Sequence, residues 1–189
     1  KTFGGPGNDL SSTIQQTNDG GYIIAASTNS LGAGNYDAWL IRTDADGDTI
    51  WTRTYGGTDT DHASDVKQTD DNGFIIAGST RSFGHVNNYN DAWIIKTNSN
   101  GDTLWTKTFG GEGDEFGWDI RITKDKGYII AAQTNSQGSG EVDAYLIKTN
   151  SMGMEEWSNT FGGEKTDRVF SVQQTQDGGF VAGGITYSY

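Results

Sequence analysis

The chain repeats itself, and the repeat limits its fold more than any other feature. "TFGG" at residues 2–5 returns as "TYGG" at 54–57 and as "TFGG" at 108–111 and 160–163, a spacing of 52 to 54 residues. "NDGGYIIAAST" at 18–28 returns as "DDNGFIIAGST", "KDKGYIIAAQT" and "QDGGFVAGGIT". "DAWLIRTDADGDTIW" at 37–51 returns twice, as "DAWIIKTNSNGDTLW" and "DAYLIKTNSMGMEEW". Self-similarity at such a period means that each copy is one supersecondary unit. A unit of this size buries its apolar side only by stacking on its neighbours.

Within a unit, four short segments alternate with turn residues. They are "STIQQT", "YIIAAST", "AWLIRT" and "DTIWTRTY" in the first copy, separated by clusters of Gly, Asn and Asp. Short β-branched and aromatic runs bounded in this way are strand signals, and Asp-Gly pairs favour tight hairpins. Four strands every ~50 residues predict an all-β chain: a β-propeller of four-stranded antiparallel blades, about 3.6 of them here. The blades fall at about residues 4–56, 57–110 and 111–162, with a partial blade at 163–189, in a single domain.

Residue sizes agree with that geometry. A blade faces neighbours on both sides, so its inner strands need two apolar faces. Ile23-Ile24, Ile75-Ile76 and Ile129-Ile130 supply them, followed by small pairs where space narrows: Ala25-Ala26, Ala77-Gly78 and Ala131-Ala132. Trp39, Trp93, Trp51 and Trp105 lie on the third and fourth strands, where the wedges widen. The first strand is polar at Gln16, Gln68 and Gln174, as expected beside a water-filled channel. A β-solenoid competes, but its coils usually run only ~20–30 residues.

The motifs "TFGG…D", "T-x-D-G-G-[YF]-I-I-A-[AG]" and "D-A-W-[LI]-I-K-T-[DN]-S-x-G-D-T-L-W" resemble the Gly-rich propeller repeats of secreted and surface proteins of bacteria and archaea. The resemblance spans the whole chain. It implies a scaffold, usually part of a larger extracellular protein, with no established catalytic residue. Fold does not carry function, so candidate sites rest on their own residues.

A formal charge of −12 repels phosphate backbones and anionic lipid, which argues against nucleic-acid partners. No apolar run approaches the ~18 residues of a membrane span. Without cysteine there is no disulfide or thiol chemistry. Gly, at 28 of 189 residues, is about twice its usual ~7% share, and Pro occurs once. Low Lys with abundant Asn and Thr leans towards a secreted or cell-surface microbial protein.

Residues 43–57, "TDADGDTIWTRTYGG", place Asp44, Asp46 and Asp48 in one turn, a set suited to calcium. Calcium takes six to eight oxygens, and this turn has three carboxylates with no closing Glu. In later copies they become Asn98, Asn100 and Asp102, then Asn150, Met152 and Met154. What persists is Gly47, Gly101 or Gly153, followed by Trp51, Trp105 or Trp157. A calcium loop and a plain Asp-rich hairpin therefore compete, and the repeat favours the hairpin. The Asp-to-Trp spacing is also similar to the Trp-docking repeat of quinoproteins, but no residues suited to a metal-held quinone accompany it.

Strands one and three of an antiparallel blade start at the same end, which brings two sets of acids together. Asp9, Asp61, Glu115 and Asp167 close the Gly-Gly loops, while Asp37, Asp91 and Asp143 close the loops into strand three. Tyr36, Tyr89 and Trp118 stand close by, with the amides of Asn35, Asn87, Asn88 and Asn90. Carboxylate, amide and aromatic ring together suit a neutral glycan. Tyr36, Asp37, Tyr89, Asp91 and Asp143 are accordingly the candidate ligand residues, against the alternative that the acids only cap their loops. The second copy, "GHVNNYND", is two residues longer and adds His85.

Catalysis has little support. His62 and His85 are isolated in sequence, without a Ser or Cys nucleophile signature. The adjacent acids Asp114-Glu115 and Glu155-Glu156 point to opposite faces of a strand and so do not act on one bond. Lys1-Thr2-Phe3 reads as the tail of a fourth strand, and the last unit stops after two strands at residues 186–189. Raw sheet edges pair with whatever strand is available. The expected function is a non-catalytic structural or adhesive module that self-associates or joins further blades through exposed strand edges.

Overall fold

The computed structural model describes residues 1–85 and 89–188, and these contain fourteen strands and no helix. The first sheet comprises β1 (Asp9–Gln16), β2 (Tyr22–Thr28), β3 (Asp37–Thr43) and β4 (Thr49–Tyr55). The second comprises β5 (Asp61–Gln68), β6 (Phe74–Thr80), β7 (Asp91–Thr97) and β8 (Thr103–Phe109). The third comprises β9 (Glu115–Ile122), β10 (Tyr128–Thr134), β11 (Asp143–Thr149) and β12 (Glu155–Phe161). A fourth, two-stranded sheet holds β13 (Asp167–Gln174) and β14 (Phe180–Thr186). Every sheet is antiparallel and follows chain order.

The hairpin between strands one and two shows how local chemistry sets the register. Thr17 Oγ1 donates to Asp19 Oδ1 at 2.6 Å, and the Thr17 amide bonds Gly21 O at 2.9 Å. The residue after the Asp takes a left-handed backbone in each copy: Gly20, Asn72, Lys126 and Gly178. Asn tolerates that conformation and Gly adopts it freely. Lys126, at φ 67°, is held there by its turn.

Alternate residues of each sheet pack against opposite neighbours. Ile23, Ala25 and Leu40 of the first sheet meet Val66, Phe74, Ile76, Trp93 and Ile95 of the second. Ile75, Ala77 and Ile94 repeat this contact against Ile120, Tyr128, Ile130 and Ile147 of the third. Ile129, Ala131 and Leu146 repeat it against Val169 and Val172 of the fourth. Because β6 and β10 are covered on both sides, their continuous apolar runs are explained; β2 has the same run, but its outer side is covered only in part, by Phe3.

Two details differ from the sequence reading. The first strand of each unit begins earlier than "STIQQT" suggests, at the acid Asp9, because a bulge between Ser11 and Thr13 takes up one extra residue. The same bulge recurs in β5, β9 and β13. Lys1-Thr2-Phe3 is not a strand; Phe3 instead packs on Trp39, Ile24 and Ile41.

Candidate functional site

All seven recurring acids begin strands at one end of the sheets, and all but Asp9 are buried. Their oxygens are taken up locally. Asp61 receives the Gly57 amide at 2.9 Å and the Ser82 hydroxyl at 2.6 Å, and the Thr80 hydroxyl as well. Glu115, one methylene longer, makes the same set with Gly111, Ser136 and Thr134. Asp167 repeats it with Gly163 and Ser188. Hydroxyls from Ser188 and Thr186, with the Gly163 amide, hold the Asp167 carboxyl well below the ordinary carboxylate range.

The candidate ligand residues occupy the second set of loops. Asp37 accepts the Gly34 amide at 3.0 Å, and Asp143 accepts those of Ser139 and Gly140 at 2.8 and 3.2 Å. Asp91 takes the His85 amide, and its carboxylate lies 3.8 Å from the His85 ring. Asp37, Asp91 and Asp143 are each at most 2% exposed, so they present almost no surface to a ligand. Tyr36 is half-buried beside His62, with ring centroids 5.5 Å apart, and its carbonyl accepts the Asp61 amide at 2.8 Å. Tyr89 is exposed. Asn90 bonds Asp114 through its amide side chain at 2.7 Å, while Asn87 and Asn88 lie outside the described residues.

These acids explain the first Gly of each Gly-Gly pair. A Cβ on Gly110 would collide with both Asp91 Oδ1 and Glu115 Oε2, and Gly56 and Gly162 sit between equivalent carboxylates. At these three positions the motif is thus a close approach of backbone to two carboxylates belonging to successive units, while Gly4 meets Asp9 alone. Asp143 Oδ1 is buried without a hydrogen-bond partner among the described residues, and it lies where the missing side chain of Gly162 would be.

The Asp44 turn closes on itself. Asp44 Oδ1 accepts the amides of Asp46 and Asp48 at 3.0 and 2.8 Å. Asn98 and Asn150 make the same two bonds, all within 2.9–3.0 Å, although other residues differ. Asp48 also pairs with Lys1. Among the described residues, no group of three or more His, Asp or Glu is arranged to hold a metal ion.

Two charged arrangements escaped the sequence reading. Arg42, Lys96 and Lys148 are buried on the third strands. They reach back to Asp19, Asp71 and Asp125 of the preceding hairpin, at 2.5, 2.9 and 2.8 Å. Each also donates to the carbonyl of the next residue, Thr43, Thr97 or Thr149. Burial raises the Asp71 carboxyl, but the Thr69 hydroxyl and the Lys96 ammonium outweigh it and hold the group down to about 2. The signal was a single basic residue within each apolar "LIRT", "IIKT" or "LIKT" run.

The second arrangement runs along the first strands. Asp65 accepts the Ile120 amide at 3.1 Å, and Asp119 accepts the Val172 amide at 2.9 Å, so each carboxylate stitches its strand to the next unit. Burial pushes the Asp65 carboxyl up, Asp119 adds to this, and Lys67 opposes it. Burial pushes the His62 imidazole below its ordinary range, against the nearby Asp61, and its Nδ1 lies 3.1 Å from the Ser27 hydroxyl.

No family model matches the chain, and no curated protein matches its sequence. Among solved structures it is similar to a crystal structure of a protein of unknown function from Bacteroides caccae, with a TM-score of 0.55 and 14% identity. That match covers 89% of this chain and 50% of the other, so the chain spans about half the length of its structural neighbour.

Proposed function

We propose that the sheets are blades of a β-propeller arc, acting outside the cell as a non-catalytic structural or adhesive module. The arc would extend by docking the open face of its first sheet on the open face of its last. One observation carries this reading: both outward faces repeat the chemistry of the internal interfaces, but uncovered.

Ile14 occupies the position of Val66, Ile120 and Val172. Ile14 is 60% exposed, whereas the other three are at most 2% exposed. At the opposite face, Val181 aligns with Ile23, Ile75 and Ile129; it is 57% exposed and they are fully buried. Covering such side chains contributes about 1.5–3 kcal/mol each. Ile185, four residues on and so on the same side of β14, is 43% exposed. A further unit of the same kind fits each face, because the three internal interfaces already join these two surfaces. A second copy of the chain supplies that unit head to tail, and such a contact closes into a ring or runs on as a filament.

Support for the non-catalytic part comes from the acids. At the loop end they are engaged in holding backbone, and their nearest partners are amides and hydroxyls of their own loops. The extracellular placement rests on composition: acidic, without cysteine, and rich in Thr and Asn.

Light scattering across a concentration series tests the assembly. The expected outcome is a mass above the monomer that rises with concentration and falls for Val181→Lys and Ile14→Lys, with EDTA making no difference. A monomer at every concentration would overturn docking between copies. Dissociation by EDTA would overturn the reading of the Asp44 turn as self-contained.

A further inference from the structure

At the opposite end of the strands, each pair of neighbouring units forms a groove between hairpins, and the three grooves are not alike. Between the second and third units, Lys126 pairs with Asp70 across the groove. Between the third and fourth, Lys124 crosses it and donates to Thr175 O and Gln176 O at 3.0 and 2.6 Å. The equivalent positions between the first and second units are Asn18 and Asn72. Both are exposed, and neither amide side chain forms a hydrogen bond among the described residues. Among the described residues no lysine crosses this groove; it is bridged at its walls, by the Asn18 backbone amide donating to Gln68 Oε1 at 2.8 Å and the Trp51 indole donating to Ser99 O at 3.2 Å.

It has a volume of about 470 Å³, within the ~300–1,000 Å³ of small-molecule sites. Trp51 and the exposed Ile50 give it an apolar wall, and Asn100 adds a third amide without a side-chain partner among the described residues. The one ion pair in its lining, Arg42 with Asp19, is bidentate and internally neutral, with the guanidinium buried. Amides offer paired donors and acceptors without charge. An apolar wall edged by such amides, with no unpaired charge, suits a small neutral ligand that has hydroxyls on one side and C–H groups on the other.

We propose that the groove between the first and second units binds a neutral saccharide, with Asn18, Asn72 and Asn100 on its hydroxyls and Trp51 with Ile50 on its apolar face. This site lies at the other end of the strands from the acidic loops, and it stands independently of docking between copies. The other two grooves serve as internal comparisons, since each carries a lysine bridge that the first lacks.

The structure itself supplies the closing variant. Asn18→Asp with Asn72→Lys installs the pair that Asp70 and Lys126 make one unit further on, and Lys126 shows that Lys takes the turn's left-handed backbone. Cellobiose, maltose and N,N′-diacetylchitobiose are titrated into the ¹⁵N-labelled full chain, with the Trp51 indole signal assigned through Trp51→Phe. The expected result is a saturable shift of that signal with at least one of the three, and of amides around Asn72. Affinity should drop about tenfold or more in the double variant, whose spectrum otherwise matches the parent. No shift with any of the three at millimolar concentration would overturn the proposal, as would equal binding by parent and double variant.

Discussion

The two ends of the strands use acidic residues in opposite ways. At the loop end, carboxylates such as Asp61 and Glu115 are fully buried and hold neutral amides and hydroxyls, with no cation among those partners. At the hairpin end, Asp19, Asp71 and Asp125 are more than half exposed and face buried cations from the third strand. A buried carboxylate costs little only when donors surround it, and backbone amides provide them without side-chain entropy. Among the described residues, the loop end is thus built around close backbone contact. The hairpin end is wetter and varies from unit to unit, which is where a ligand groove has room to differ.

The sharpest way to break this contrast is at Gly110. Gly110→Ala drives a Cβ into Asp91 and Glu115 together, and neither buried carboxylate has space to retreat. A loss of about 3 kcal/mol is expected in chemical denaturation, with partial unfolding at 37 °C. A loss below about 0.5 kcal/mol would mean the loop end is softer than its packing indicates.

At the hairpin end, Lys96→Met should cost less, about 1 kcal/mol, because Asp71 remains half-solvated. Its pH dependence is more telling. Asp71 is lower in the folded chain, at about 2, than its ordinary value of 3.8. Its contribution is therefore complete above about pH 4 and lost as pH falls towards 2. Denaturation curves taken from pH 5 to pH 2 should show a shallower fall for Lys96→Met than for the parent. Equal slopes would show that the pair adds nothing to acid stability.

The smallest effect is expected at Asp44. Asp44→Asn should leave stability within about 0.5 kcal/mol of the parent, since Asn98 and Asn150 already close identical turns. The melting temperature should also be indifferent to calcium in both proteins. A calcium-dependent rise in the parent that Asp44→Asn abolishes would reopen the turn as a metal site.

Much of the architecture was legible in the sequence because its determinants are local and repeated four times over. Turn residues such as Gly47 and Asp19 mark the hairpins, and the Ile75-Ile76 pair announces a strand covered on both sides. The charged core was less legible. Arg42, Lys96 and Lys148 look like solvent-facing residues in any single strand, and only the return of the preceding hairpin shows that each is buried on an acid. The loop acids were visible as a set, yet a recurring acid beside a tyrosine reads alike whether it faces a sugar or a backbone amide.

By itself, then, the sequence determined the unit: four antiparallel strands, their turns and their two apolar faces, because periodicity and turn chemistry act within a few residues. Only the tertiary structure decided which carboxylates are consumed, why the first Gly of each pair has no room for a side chain, and which groove lacks a lysine bridge. Those outcomes depend on contacts between residues from about twenty to about fifty positions apart, where Asp91 meets Gly110 and Glu115 and where Asn18 and Asn72 line one groove. Residue type alone carries no record of such distances, so burial had to assign each recurring acid its role.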